Sequence, residues 1–132
     1  MMVKKALSTA LCTAVAAVSI AVGTSASPAN AASCGGQAGG LTGAWSAAHN
    51  SNCSVMGSPR TKVTYWWNTT QGTQQTACVQ GWGYNTARKG GWYNLGCGQR
   101  GHATVPWGSV GARPKIRVMS TNIGAALVEW QH

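Results

Sequence analysis

The sequence contains no phenylalanine, no aspartate and one glutamate, Glu129. A single acid cannot form the carboxylate pair of a glycosidase. Without an Asp to orient a histidine, and with no G-x-S-x-G turn, serine triad chemistry is poorly supported. No C-x-x-C pair occurs, so the cysteines lack the spacing of a zinc site, and no metal or cofactor is expected. After the first 22 residues there is no long apolar run, and no stretch carries a helical period.

What is present begins with an export signal. Lys4 and Lys5 precede an uncharged, Ala-rich stretch from Ala6 to Val22. Pro28 and the small-x-small site Ala29-Asn30-Ala31 follow it. The pattern is similar to export signals of high-GC Gram-positive bacteria. Residues 1–31 are therefore read as a cleaved signal peptide. Residues 32–132 are read as one secreted β domain with no membrane span. Eight of the ten Lys/Arg lie after residue 31 with Glu129 as the lone acid, so their field must be answered by solvent ions or an anionic partner.

Cys12 leaves with the signal, and four cysteines remain: Cys34, Cys53, Cys78 and Cys97. An even number in an exported chain reads as two disulfides. Residues 32–58 are rich in Gly, Ala, Ser and Asn and are expected to be a loop-rich section, with one helical turn near Trp45 to His49. Strands with Gly and Asn punctuation occupy 59–132. Thr61–Trp67 alternates, with Val63, Tyr65 and Trp67 on one face and Lys62, Thr64 and Trp66 on the other.

Residues 74–84 and 91–98 form a predicted hairpin. Setting Cys78 opposite Cys97 places Gln80 against Leu95, Trp82 against Tyr93 and Trp92 over Gly83. This register favours Cys78–Cys97 and leaves Cys34–Cys53, each bridge being worth roughly 3 kcal/mol in the chain-entropy account. A second predicted hairpin turns at Asn122-Ile123-Gly124, pairing Arg117 with Glu129. His102–Trp107 reads as a short strand ending at Pro106. The fold class is all-β: a small antiparallel sandwich or barrel of about five to six strands.

Seven tryptophans must supply the large apolar volume that phenylalanine does not, and Trp67, Trp82 and Trp130 are expected inside. Alternation sends Trp66 and Trp92 to the other face, where they are the candidate contact residues. Arg88 and Lys89 at a hairpin tip, with Lys62, Arg113 and Lys115, complete the candidate binding set. Arg113, Lys115 and Arg117 recur at alternate positions and form a row if their strand is regular.

His49, His102, His132 and Glu129 are the only conventional acid–base groups, the minimum kit of a small ribonuclease. Nothing in the sequence brings His102 to Glu129. In size and cysteine count the chain resembles small exported inhibitors, antimicrobial proteins and carbohydrate-binding modules. Gly81-Trp82-Gly83-Tyr84 lacks the aromatic–Arg–Tyr tripeptide of tendamistat-type amylase inhibitors. The expected function is a secreted, basic, non-catalytic binding protein for an anionic polymer, glycan or protein target. A stand-alone carbohydrate-binding module is the alternative, and a ribonuclease a more distant one.

Overall fold

The computed structural model describes residues 33–70 and 72–132. The expected signal peptide and Cys12 lie outside them. Ten strands follow in order: β1 Gly35–Gly40, β2 His49–Asn50, β3 Val55–Met56, β4 Lys62–Thr69, β5 Ala77–Tyr84, β6 Gly90–Gly98, β7 Arg100–Pro106, β8 Gly111–Ala112, β9 Lys115–Ser120 and β10 Ala126–Gln131. They build one sheet in the order β1-β10-β4-β7, a second in the order β2-β9-β5-β6, and the small pair β3-β8. All ladders are antiparallel, and no helix occurs among the described residues. The all-β class and both disulfides stand as expected, Cys34–Cys53 and Cys78–Cys97 having Cα atoms 5.5 and 4.0 Å apart.

Strands exceed the expected five or six because the short and glycine-rich ones carry no hydrophobic alternation to read. β1, Gly-Gly-Gln-Ala-Gly-Gly, lies inside the section expected to be loop. Glycine there serves close packing: a Cβ on Gly40 would fall 2.2 Å from the Val118 carbonyl oxygen of β9. The segment expected to hold a helical turn instead runs into strand β2 at His49.

The core lies between the two larger sheets. β4 contributes Val63, Tyr65 and Trp67, β10 Val128 and Trp130, β5 Ala77 and Val79, and β9 Ile116 and Val118, all buried. Two side chains tie the sheets together by donating to opposite backbone: Tyr65 Oη to the Trp82 carbonyl at 2.7 Å and Trp67 Nε1 to the Leu95 carbonyl at 3.0 Å. Burial pushes the Tyr65 phenol well above its ordinary 10.0, so it remains a donor.

The C-terminal hairpin is a correction. β9 pairs with β5 and β2, whereas β10 pairs with β4 and β1, so the two strands face each other across the core. Asn122 accepts the Thr76 amide at its Oδ1 and helps turn the chain from one sheet to the other. Val118 and Val128 are both inward, as expected, but Arg117 and Glu129 are separated by the sandwich. Glu129 stands between Gln37 and Asn68 in the other sheet.

His132 is anchored beside the Cys34–Cys53 bridge. Its amide donates to the Cys34 carbonyl at 2.9 Å, and its Nε2 lies 2.7 Å from the hydroxyl of buried Ser51. Burial lowers its pKa below the ordinary 6.5. A histidine depressed in the folded state gains its proton first in the unfolded chain, so stability is full above pH 6.5 and falls as pH drops through that value. The urea midpoint should therefore decrease between about pH 7 and pH 5, and His132→Gln should flatten the slope; an unchanged slope in the variant would contradict the assignment. Gly40→Ala should cost about 1–3 kcal/mol by forcing β1 off β9, read as a lower midpoint in the same titration.

Candidate functional site

β5 carries the sequence Ala77-Cys78-Val79-Gln80-Gly81-Trp82-Gly83-Tyr84 with alternate residues buried. Ala77 and Val79 face the core, so Gly81 and Gly83 must too. Their missing side chains admit residues of the opposite sheet: a Cβ on Gly81 would sit 2.9 Å from the Tyr65 ring, and one on Gly83 would sit 3.0 Å from Val105. Trp82, expected inside, is thereby turned outward and half-buried with Gln80 and Tyr84. Tyr65 fills the volume Trp82 was expected to fill.

The β5–β6 ladder keeps Cys78 opposite Cys97 but slips beyond Val79. Val79 faces Gly96, and Gln80 then faces Asn94. Gly96 takes the left-handed φ of 107° at this bulge. Trp92 consequently lands opposite Trp82, not over Gly83, and Tyr93 opposite Gly81. The two indoles meet edge to face, 5.0 Å between centroids at 79°.

β9 lies on the other side of β5 with Arg117 opposite Gln80 and Lys115 one row on, beside Trp82. Both cations reach across the outer face. Lys115 Nζ is 4.1 Å from the Trp82 ring centroid and 5.9 Å from that of Trp92. Arg117 Cζ is 4.6 Å from Trp92 and 4.9 Å from Trp45. Trp45 is held there by its neighbour Ser46, which donates its amide to the Val118 carbonyl and accepts the Val118 amide at its hydroxyl. Arg117 Nε donates to Gln80 Oε1 at 2.8 Å, and Gln80 Nε2 donates to Asn94 Oδ1 at 2.8 Å. The result is an alternating ladder, Trp45–Arg117–Trp92–Lys115–Trp82, stiffened by an amide relay.

Each such contact is worth about 0.5–1 kcal/mol at a surface and more where desolvated. Arg117 and Lys115 are both half-buried, and the only acid in the sequence, Glu129, faces outward from the other sheet. Indole faces and amides therefore hold cations that elsewhere would meet carboxylates. Among the described residues Nε is the one side-chain donor of Arg117 that meets an acceptor, which leaves the Nη edge for an incoming oxyanion.

The sequence-predicted contact residues divide between two faces. Trp92 and Lys115 belong to the ladder. Arg113 is exposed just before β9, and Arg88 and Lys89 stand at the tip of the β5–β6 turn beyond Tyr84. That tip is built on Asn85, whose Oδ1 accepts the amides of Ala87 and Lys89, while Arg88 holds a left-handed φ of 63°. Trp66 and Lys62 project from the outer face of the other sheet, Trp66 being 47% exposed between Gln131 and His102. The sequence reading missed Trp45, Gln80, Trp82 and Asn94, and gave Arg117 to Glu129. The usable signals were the glycines alternating with Trp82 and the Arg113/Lys115/Arg117 spacing.

The acid–base groups are not gathered. His102 on β7 is separated from Glu129 on β10 by β4 and by two residues along the strand, about 12 Å in strand spacings. His132 is occupied with Ser51, and His49 lies on β2. No group of three or more His, Cys or Glu suited to a metal ion occurs among the described residues. No helix of the described residues is long and apolar enough to cross a membrane. No protein-family model matches the chain, and no curated protein or solved structure matches it.

A double-mutant cycle of Arg117→Ala and Trp92→Ala in urea should give a coupling energy of about 1 kcal/mol. Strict additivity of the two losses would show that the ring and the guanidinium do not support each other.

Proposed function

We propose that this chain is a secreted, basic, non-catalytic binding protein that engages an anionic partner through the outer face of the β2-β9-β5-β6 sheet. Inhibition, antimicrobial action and surface attachment are the roles that fit such a protein. The carrying observation is the ladder itself: two half-buried cations sit among tryptophan rings on a face without a carboxylate. With no acid beside them the two cations leave an outward positive field, which an arriving anion answers. Two disulfides and the N-terminal export pattern support a site of action outside the cell.

Trp66 offers an exposed ring on the outer sheet face among Thr64, Thr104, His102 and Gln131, the setting in which a neutral sugar ring stacks and hydrogen-bonds. In this second reading the protein is a carbohydrate-binding module, and Trp66→Ala abolishes binding while Trp92→Ala does not.

Binding should be measured against acidic and neutral glycans, anionic vesicles, RNA and proteases at physiological salt. At least one anionic class should be retained, and Trp92→Ala, which leaves net charge unchanged, should weaken it about tenfold. Retention only at low salt and indifferent to Trp92→Ala would contradict the proposal, as would RNA turnover lost on His102→Ala.

A further inference from the structure

We infer that the partner of the ladder face is a linear acidic glycopolymer, a sugar or polyol chain carrying a sulfate or phosphate on each repeat. This rests on the reading that the outer face of the β2-β9-β5-β6 sheet is the contact surface, and it names the ligand. Three observations lead to it.

The first is the spacing of the charges. Arg113, Lys115 and Arg117 occupy alternate positions, with Lys115 and Arg117 in β9. Alternate residues of a strand are about 6.8 Å apart, which sets the interval between Lys115 and Arg117, while exposed Arg113 lies ahead of the strand, before buried Pro114. Arg88 and Lys89 extend the positive surface at the end where Tyr84 and Gly90 close the β5–β6 turn. A row of this pitch suits a chain with one anion per repeat unit.

The second is the state of the rings. Sites for single-stranded nucleic acid stack successive bases on open aromatic faces. Here Trp82 has Lys115 against it, and Trp92 and Trp45 both have Arg117. A base approaching from that side must first displace the cation. Trp82 is also packed against Gly90, where an added Cβ would fall 2.2 Å from its ring. The ladder presents cation N–H groups held by rings, not rings held ready for bases.

The third is how the donors are prepared. Gln80 and Asn94 fix the Nε side of Arg117, so its Nη edge approaches a tetrahedral oxyanion without first losing rotamer freedom. The Asn85-built tip fixes the backbone beneath Arg88 and Lys89 in the same manner. Preorganised donors along a line favour a repeating anion over the single patch of a compact partner.

The test uses the full chain, expressed with residues 1–31 in place and collected as the host processes it. Immobilised heparin, poly(ribitol phosphate), neutral glucan and single-stranded DNA of matched charge number serve as probes at physiological salt. Heparin or poly(ribitol phosphate) should bind most tightly. Arg117→Gln or Lys115→Gln should weaken that binding about tenfold, while Arg100→Gln, on the opposite sheet, should change it by less than about twofold. Arg113→Gln and Lys89→Gln, whose side chains support no described fold contact, should each weaken it about threefold and keep the test valid if a ladder variant misfolds.

Equal losses from Arg100→Gln and Arg117→Gln would overturn the inference, because net charge alone would then explain retention. Tighter binding of single-stranded DNA that depends on Arg117 would overturn the glycopolymer and leave the contact surface standing. Indifference of every probe to both Arg117 and Lys115 would remove the surface as well.

Discussion

The Tyr65 ring rests over Gly81, and its hydroxyl donates to the Trp82 carbonyl one residue on. Most of the outer face follows from that contact. Because an aromatic from the opposite sheet occupies the inward position, β5 must carry glycine there. Alternation then sends Trp82 outward. The bulge at Gly96 completes the effect by rotating Trp92 to the same side. A large apolar ring placed outward needs cover, and β9 provides it with the stems and heads of Lys115 and Arg117. Core packing and the candidate site are thus two sides of one strand.

The charge distribution gives this cover a second consequence. In a protein with ordinary acidic content, the two cations would have met carboxylates and the face would be electrostatically closed. Here the lone Glu129 is committed to the other sheet, beside Gln37 and Asn68. Ring quadrupoles stabilise the cations but do not neutralise them. The face therefore keeps an outward positive field while remaining well packed, a combination that suits binding without large rearrangement.

Much of the fold was legible in the sequence because its signals were local. The even cysteine count and the hairpin register identified Cys78–Cys97, and elimination then identified Cys34–Cys53. The alternation in Thr61–Trp67 correctly separated buried Tyr65 from exposed Trp66. What escaped was decided between strands distant in sequence. β9 and β10 show the same alternation whether they pair as a hairpin or face each other across a core, so the false Arg117–Glu129 pair could not be rejected locally. Placing Trp82 inside ignored that Gly81 and Gly83 had already claimed the inner side for another ring. The slip at Gly96 was signalled only by a glycine beside a cysteine, and β1 has almost no side-chain pattern at all. Of the candidate site, Trp92 and Lys115 were found by alternation and charge, whereas Trp45 arrives through backbone bonding of Ser46 to β9.

Lys115 and Arg117 lie against indole faces of the outer sheet surface. Proton chemical shifts test these contacts directly, because ring currents shield groups held over an aromatic face. The ε-methylene protons of Lys115 and the δ-methylene protons of Arg117 should resonate well upfield of their random-coil positions, and should return toward them in Trp82→Leu and Trp92→Leu respectively. Random-coil shifts for both side chains in the folded wild-type protein would show that neither cation rests on a ring.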